Sequence, residues 1–274
     1  MLNPNPTIPN SVAKFCAINS PYQSIGDDLF VEAMRDLTLW HQQNCVWYAD
    51  FLKLHRVDPK AINTLEDVIS LPCIHANFLK LHDVKSIHDE DVILHLTSSG
   101  TTGQKSQVFF DEFTISHARR MANDALSARG FLSSDPANYL VNAFEPYSGF
   151  KVGTSNTNQF LMDFAPVAQQ FWTLRLVTEG KHEYDAFGTI QALQQFAVAK
   201  ESTRIIGFPA FLHFALERMA QLDLPRLQLP ANSWVVFGGG WKGHANRAIP
   251  KEQLLANIEY WLGIPASHVI ETFG

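Results

Sequence analysis

Two stretches of the chain, Tyr139-Leu-Val-Asn-Ala-Phe144 and Trp234-Val-Val-Phe237, are apolar at nearly every position. A strand with one wet face alternates apolar and polar side chains. Runs of this kind therefore predict strands covered on both faces, as in a mainly parallel sheet flanked by helices. Strand candidates at 92–96, 107–111, 138–144, 172–178, 203–207, 233–237 and 268–272 alternate with helix candidates at 112–129, 184–200, 209–222 and 251–262. Such alternation is the pattern of the α/β class. Ligands of these sheets bind outside the carboxyl ends of the strands, which directs attention to the loops after residues 96, 144, 207, 237 and 272.

The first third of the chain reads differently. Residues 1–26, rich in Pro, Asn and Ser, read as an irregular arm. From Asp27-Asp28 the residues Phe30, Met34, Leu37, Cys45, Tyr48 and Leu52 recur on one face of a helix expected to end near His55. A short helix is expected from Leu65 to Ile69, closed by Leu71-Pro72, and the helical character ends at Asp91. The expected organisation is a helical N-terminal region, 1–90, packed on an α/β core, 91–274.

Composition removes several classes of function. With 46% hydrophobic and 18% charged residues among 274, the chain can offset the entropy of ordering its backbone, so disorder is excluded. A net charge of −6 offers no basic face for nucleic acid. No apolar stretch approaches the ~20 residues that span a bilayer. The start, Met1-Leu-Asn-Pro-Asn-Pro, lacks the basic and apolar regions of a signal peptide. Cys16, Cys45 and Cys73 are odd in number and suit a reducing compartment, so a cytoplasmic location is expected. His75, His82 and His88 with Cys73 lack the paired spacing of a zinc site, and no metal centre of protein ligands is expected. His41, His55 and Arg119-Arg120 read as solvated helix positions, and Cys45 as a core thiol. No GxSxG elbow is present, which argues against an α/β-hydrolase.

The strongest local signal is the ten-residue segment Thr97-Ser98-Ser99-Gly100-Thr101-Thr102-Gly103-Gln104-Lys105-Ser106. A hairpin between the flanking strands needs only about two residues. Glycines let the backbone come close to a ligand, successive N–H groups form a concave anion site, and hydroxyls add donors for phosphate oxygens. A P-loop fails on spacing, because Gln104 separates Gly103 from Lys105 and Ser98 stands where the earlier glycine is required. A strand, moreover, follows where a P-loop opens a helix.

The hexad Ser98-Ser99-Gly100-Thr101-Thr102-Gly103 resembles the phosphate loop of the acyl-adenylate-forming superfamily at every position. The resemblance implies ATP and Mg²⁺ as cofactors and Ser98 to Gly103 as phosphate contacts, with Lys105 and Ser106 beside them. Lys105 stands where Pro is usual and Ser106 where Lys is usual, a departure that looks like the phenylacetate–CoA ligase branch and the acyl-protein synthetases. Trp234-Val-Val-Phe-Gly238-Gly239-Gly240-Trp241-Lys242 is similar to the segment that lines the adenine pocket, which implies Gly238, Gly239, Gly240 and Trp241 there. Val269-Ile-Glu-Thr-Phe273-Gly274 resembles the strand whose final aromatic, Phe273 here, lies against adenine. Glu145 in the loop after a buried strand, with Lys242 and His244, are candidates for substrate or phosphate contacts. A helical leader, Leu71-Pro72-Cys73-Ile74, Phe78-Leu79-Lys80 and Gly-Gly-Gly-Trp-Lys in this order resemble the acyl-protein synthetases of bacterial fatty acid reductase complexes. That likeness implies a fatty acid substrate activated as acyl-AMP for transfer to a protein thiol, with acyl-reductase or acyl-transferase proteins as partners. The family's C-terminal lobe, its ribose-binding acid, its Mg²⁺-holding Glu and its acceptor cysteine would lie beyond Gly274, so a truncated chain is expected. Two alternatives stay open: a phenylacetate-type acyl-CoA ligase, and a non-catalytic nucleotide- or partner-binding subunit.

Overall fold

The structure is a computed structural model that describes residues 7–19, 22, 26–97, 106–147 and 153–272. It divides into two compact units, residues 1–129 and 130–274.

Among the described residues, the regular structure of the first unit is helical except for one antiparallel strand pair. Its helices are α1 (Asn10–Cys16), α2 (Asp28–Asn44), α3 (Val46–Leu54), α4 (Leu65–Ile69) and α5 (Phe78–Leu81). The hairpin strands β1 (Leu94–Thr97) and β2 (Gln107–Phe110) follow, and α6 (Glu112–Ala128) closes the unit. The N-terminal arm is not irregular throughout: α1 packs on α2, with Phe15 against Phe30 at 5.5 Å and Ser11 Oγ donating to Asp36 Oδ2 at 2.6 Å. The single helix expected to reach His55 is two helices. Cys45 is extended at φ −137°, and the Asn44 side-chain amide donates to the Trp40 carbonyl at 2.8 Å. α4 lies where the sequence reading put it, closed at its start by a reciprocal Thr64–Asp67 capping box. His41 is not a solvated position. Its Nδ1 lies 2.7 Å from Ser86 Oγ, the rings of Trp40 and Tyr48 meet it edge-on, and burial pushes its pKa down.

The second unit is an α/β layer structure. Its elements are β3 (Ala137–Phe144), α7 (Gly153–Met162), β4 (Val167–Thr178), β5 (Lys181–Tyr184), α8 (Ala186–Val198), β6 (Ser202–Gly207), α9 (Pro209–Gln221), β7 (Trp234–Phe237), α10 (Lys251–Leu262) and β8 (Val269–Glu271). The six strands lie in the order β5-β4-β3-β6-β7-β8, and only β5 is antiparallel to its neighbour. The mainly parallel sheet expected from the apolar runs is therefore present. β3, β6 and β7 are buried along almost their whole length. Three features differ from the sequence reading. β4 starts at Val167, α7 was not foreseen, and residues 181–184 form strand β5 before α8 begins at Ala186.

Two faces of the sheet are covered. Leu140, Ile205 and Val235 stand side by side on neighbouring strands and pack with Leu193 of α8, Leu212 and Leu216 of α9, and Ile258 of α10. One position earlier on each strand, Tyr139, Arg204 and Trp234 point to the opposite face. There the Tyr139 hydroxyl donates to the carbonyl of Met162, the last residue of α7, at 3.3 Å. The Arg204 guanidinium, only 1% exposed, lies 4.3 Å from the centre of the Phe131 ring, and burial lowers its pKa.

Gly207 is a tight point of the sheet. Its φ is +108°, and a Cβ there would sit 2.5 Å from the Asn142 carbonyl oxygen. Gly207→Ala is expected to cost roughly 2–4 kcal/mol through backbone strain and displacement of β3. Urea unfolding checks this, and a midpoint equal to wild type would contradict it. Three desolvated phenols give a second expectation. Desolvation pushes the pKa of Tyr48, Tyr139 and Tyr184 upward, furthest for Tyr184. The unfolded chain then releases these protons first, so stability is intact below about pH 10 and falls as pH rises beyond it. Thermal midpoints between neutral and strongly alkaline pH should show that fall, and Tyr184→Phe should reduce it. An unchanged slope in the variant would contradict this assignment.

Candidate functional site

The carboxyl ends of β3, β6, β7 and β8 share one edge, and backbone bonds past the strand ends lock it. Phe208 N–H donates to Asn142 O at 2.9 Å and Gly238 N–H to Gly207 O at 3.0 Å. Thr272 donates to Phe237 O twice, from its N–H at 2.7 Å and from its Oγ1 at 2.9 Å. The chain leaves β7 through Gly238, Gly239 and Gly240. A Cβ on Gly238 would stand 3.0 Å from Thr272 Oγ1, and Gly239 and Gly240 have φ of 74° and 62°. Bare backbone is thus laid along this edge, where side chains would be crowded or strained. Trp241, at the end of the segment, packs against the α8–α9–α10 core and meets the His213 ring at 5.5 Å.

Beside this segment lies a cleft of about 470 Å³. Its walls are Phe144 from β3, Leu174 from β4, Tyr184 from β5, and Phe208, Phe211 and Phe214 at the start of α9. Three-residue steps put the last three on one face of the first helical turns. Pro209 at the first helical position presets the backbone for that start. The rings form a continuous aromatic surface, with Tyr184 5.1 Å from Phe211, Phe144 6.1 Å from Phe208, and Phe211 6.1 Å from Phe214. The Tyr184 hydroxyl donates to the Phe211 carbonyl at 2.8 Å, so its polar atom is used within the wall. The remaining lining comes from the short 3₁₀ turn Lys242–Arg247, through Gly243, His244 and Arg247. His244 stands edge-on to Phe211 and Phe214 at 5.6 and 5.1 Å. Arg247 lies 3.9 Å over the Phe214 ring and pairs with Glu217 at 2.5 Å. Burial pushes the pKa of neighbouring His213 down. An apolar chamber with one charged margin suits a ligand with a hydrocarbon body and a polar head.

The residues singled out in the sequence fall into three groups. Gly238, Gly239, Gly240, Trp241 and His244 lie together along the carboxyl edge, and Thr272 joins them. Glu145 lies at the same edge, but its carboxylate accepts from Leu176 N–H at 2.9 Å and faces Arg175 Nε at 3.3 Å. Its carbonyl lies 2.8 Å from His182 Nε2, so the residue ties β3 to the β4–β5 hairpin. Ser98 to Gly103, Lys105 and Phe273 lie outside the described residues, and of Lys242 only the backbone is described. The strands around the phosphate-loop segment pair as an antiparallel hairpin with Thr97 opposite Gln107, and half-buried Ser106 leads into β2. The aromatic wall was missed, although Phe208, Phe211 and Phe214 repeat every third residue directly after a buried strand.

Among the described residues, no helix is long and apolar enough to cross a membrane. The family described as acyl-protein synthetase, LuxE, matches residues 22–274. A long-chain-fatty-acid–luciferin-component ligase of Vibrio harveyi is 24% identical over 193 residues, covering 69% of this chain and 48% of that protein. The chain spans about half the length of the curated relative it matches. With the family matching from residue 22 to the last residue, across both compact units, the chain belongs to the acyl-protein synthetase family.

Proposed function

We propose that this chain activates a long-chain carboxylic acid with ATP, as acyl-AMP, for transfer to a protein thiol. The observation that carries the reading is the aromatic cleft at the carboxyl edge, with Arg247 and His244 on its margin. A hydrocarbon tail in that cleft gains about 0.8 kcal/mol for each methylene removed from water. The long-chain fatty acid in the relative's name is a ligand of this shape. Arg247, held over Phe214 and steadied by Glu217, brings a guanidinium to the end where a carboxylate head would lie. The backbone of Gly238 to Gly240 carries no side chain, which would let an adenine ring approach it closely.

The segment 98–106 supplies the chemistry for phosphate. Its N–H groups and hydroxyls, with Lys105, oppose negative charge on the nucleotide. In the reaction a carboxylate oxygen attacks the α-phosphorus. The bond from that phosphorus to the β-phosphate's bridging oxygen breaks, and its electron pair leaves with pyrophosphate. No side-chain nucleophile is required, so these residues work by positioning and charge neutralisation. Among the described residues no group of three or more His, Cys, Asp or Glu is arranged to hold a metal ion, so no residue is assigned to Mg²⁺.

Exchange of labelled pyrophosphate into ATP tests the reading. Wild type should exchange label only when a long-chain carboxylate is present, and Thr101→Val with Gly103→Ala should lose at least about ten-fold of that rate, the ~1.4 kcal/mol worth of one strong phosphate contact. Exchange that ignores the carboxylate, or that survives the double substitution, would contradict it. Phe273→Ala should weaken ATP binding about ten-fold, given the ~1–3 kcal/mol of an aromatic stacked on a base. Calorimetry showing less than a two-fold change would remove Phe273 from the adenine site.

A further inference from the structure

The aromatic cleft has an outer end and an inner one, and the burial of its lining marks the direction. Gly243 and Arg247, on the 242–247 turn, are exposed. Phe214 is 9% exposed, Phe211 and Leu174 6%, and Phe208 2%. Side-chain contacts run the same way. Arg247 and His244 meet Phe214, Phe214 meets Phe211, Phe211 meets Phe208 at 6.2 Å, and Phe208 meets Phe144 at 6.1 Å. At the inner end three residues of adjacent strands stand in register: Phe144 on β3, Leu174 on β4 and Tyr184 on β5. Residues in register share one side of a sheet. The outer two place their rings on Phe208 and Phe211, so the Leu174 side chain between them faces the same cleft. Among the described residues that line the cleft, it alone is aliphatic. Its backbone is fixed by a strand on either side, and its carbonyl accepts from Glu145 N–H at 2.9 Å.

We propose that Leu174 is the floor against which the methyl end of the bound acid stops, and that its side chain sets the length of alkyl chain accepted. This inference rests on the reading of the cleft as the site of the hydrocarbon tail. With its carboxylate at Arg247, an acid passes Phe214 and Phe211 and reaches the floor with its last carbons. A filled cleft packs as densely as a protein interior, so each carbon removed from or added to side chain 174 yields or takes room for about one ligand carbon. Val gives room for about one more carbon and Ala for about three, whereas Phe takes room for about three. The flanking side chains are held, since the Tyr184 hydroxyl donates to the Phe211 carbonyl at 2.8 Å. None of these substitutions removes a side-chain hydrogen bond or a charge. Loss of fold weakens the binding of every acid, whichever way the volume changes. A stop instead moves the accepted length in opposite directions for smaller and larger residues.

The test is calorimetric titration of the full chain with straight-chain carboxylates of increasing length, for wild type, Leu174→Val, Leu174→Ala and Leu174→Phe. Each titration is run well below the variant's thermal midpoint, because Leu174→Ala leaves a cavity that lowers it. For wild type, affinity should rise about four-fold per methylene and level off once the tail meets the floor. The levelling point should come about one carbon later for Val, about three later for Ala and about three earlier for Phe. Variants that level off at the wild-type length, or that all shift the same way, would overturn the role of Leu174 while leaving the cleft as an alkyl site. A wild-type affinity that does not rise with chain length would overturn the cleft reading, and this inference with it. If the Ala variant does not fold, Val and Phe give the decision through the opposite signs of their shifts.

Discussion

The sheet of the larger unit depends on a contact that admits no side chain. At Gly207 the end of β6 comes so close to the Asn142 carbonyl of β3 that a Cβ would lie 2.5 Å from it. From that point the edge is stitched together: Asn142 O to Phe208 N–H, Gly207 O to Gly238 N–H, and Phe237 O to Thr272 N–H. Four strand ends are thereby held in one line, and each loop leaves from a fixed place. Here the neighbours are backbone, and backbone bonds leave little freedom.

Everything proposed for the site follows from where that edge releases the chain. After Gly207 the chain enters α9 through Phe208 and Pro209, so the ring repeat at 208, 211 and 214 is aimed at the space beyond β3 and β4. After Phe237 it runs through glycines and then turns back at 242–247, bringing His244 and Arg247 to the rim of that space. Apolar walls and a charged rim come from different strands, and only the shared edge brings them together. A hydrocarbon tail loses water against the walls, whereas a charged head would be costly to bury there unless paired. The same geometry therefore admits one end of an amphipathic acid and holds the other at the surface.

Much of this was legible in the sequence, and the parts that were not have physical causes. The apolar runs at 139–144 and 234–237 identify central strands because only strands covered on both faces tolerate such composition. Of the loops named by the same reasoning, the strand ends before those at 144, 207, 237 and 272 lie at one edge, and the segments after 97 and 272 lie outside the described residues. α7 was missed because its sequence, Gly-Thr-Ser-Asn-Thr-Asn-Gln-Phe-Leu-Met, is poor in helix formers, and packing on β3 and β6 overrides that propensity. β5 was missed because four residues, alternately exposed and half-buried, leave too short a pattern to separate from the helix that follows. The break at Cys45 is a single extended residue within one continuous apolar face, which no periodicity reveals. Glu145, a candidate contact because it follows a buried strand, has its carboxylate engaged by Leu176 N–H and Arg175, contacts between distant strands that the sequence does not display. The phosphate-loop segment was recognised by resemblance, whereas the aromatic cleft emerges only when strands from distant parts of the chain meet.

The central claim is that the cleft formed by Phe208, Phe211, Phe214 and Tyr184 holds the hydrocarbon tail of the acid. A long-chain fatty acid carrying a photoreactive diazirine near its methyl end tests it most directly, with labelled peptides mapped after irradiation. Label should fall on residues 208–214 or 182–184, and excess unmodified fatty acid should compete it away. Competed label confined to residues 1–129, or label that unmodified acid does not displace, would contradict the account.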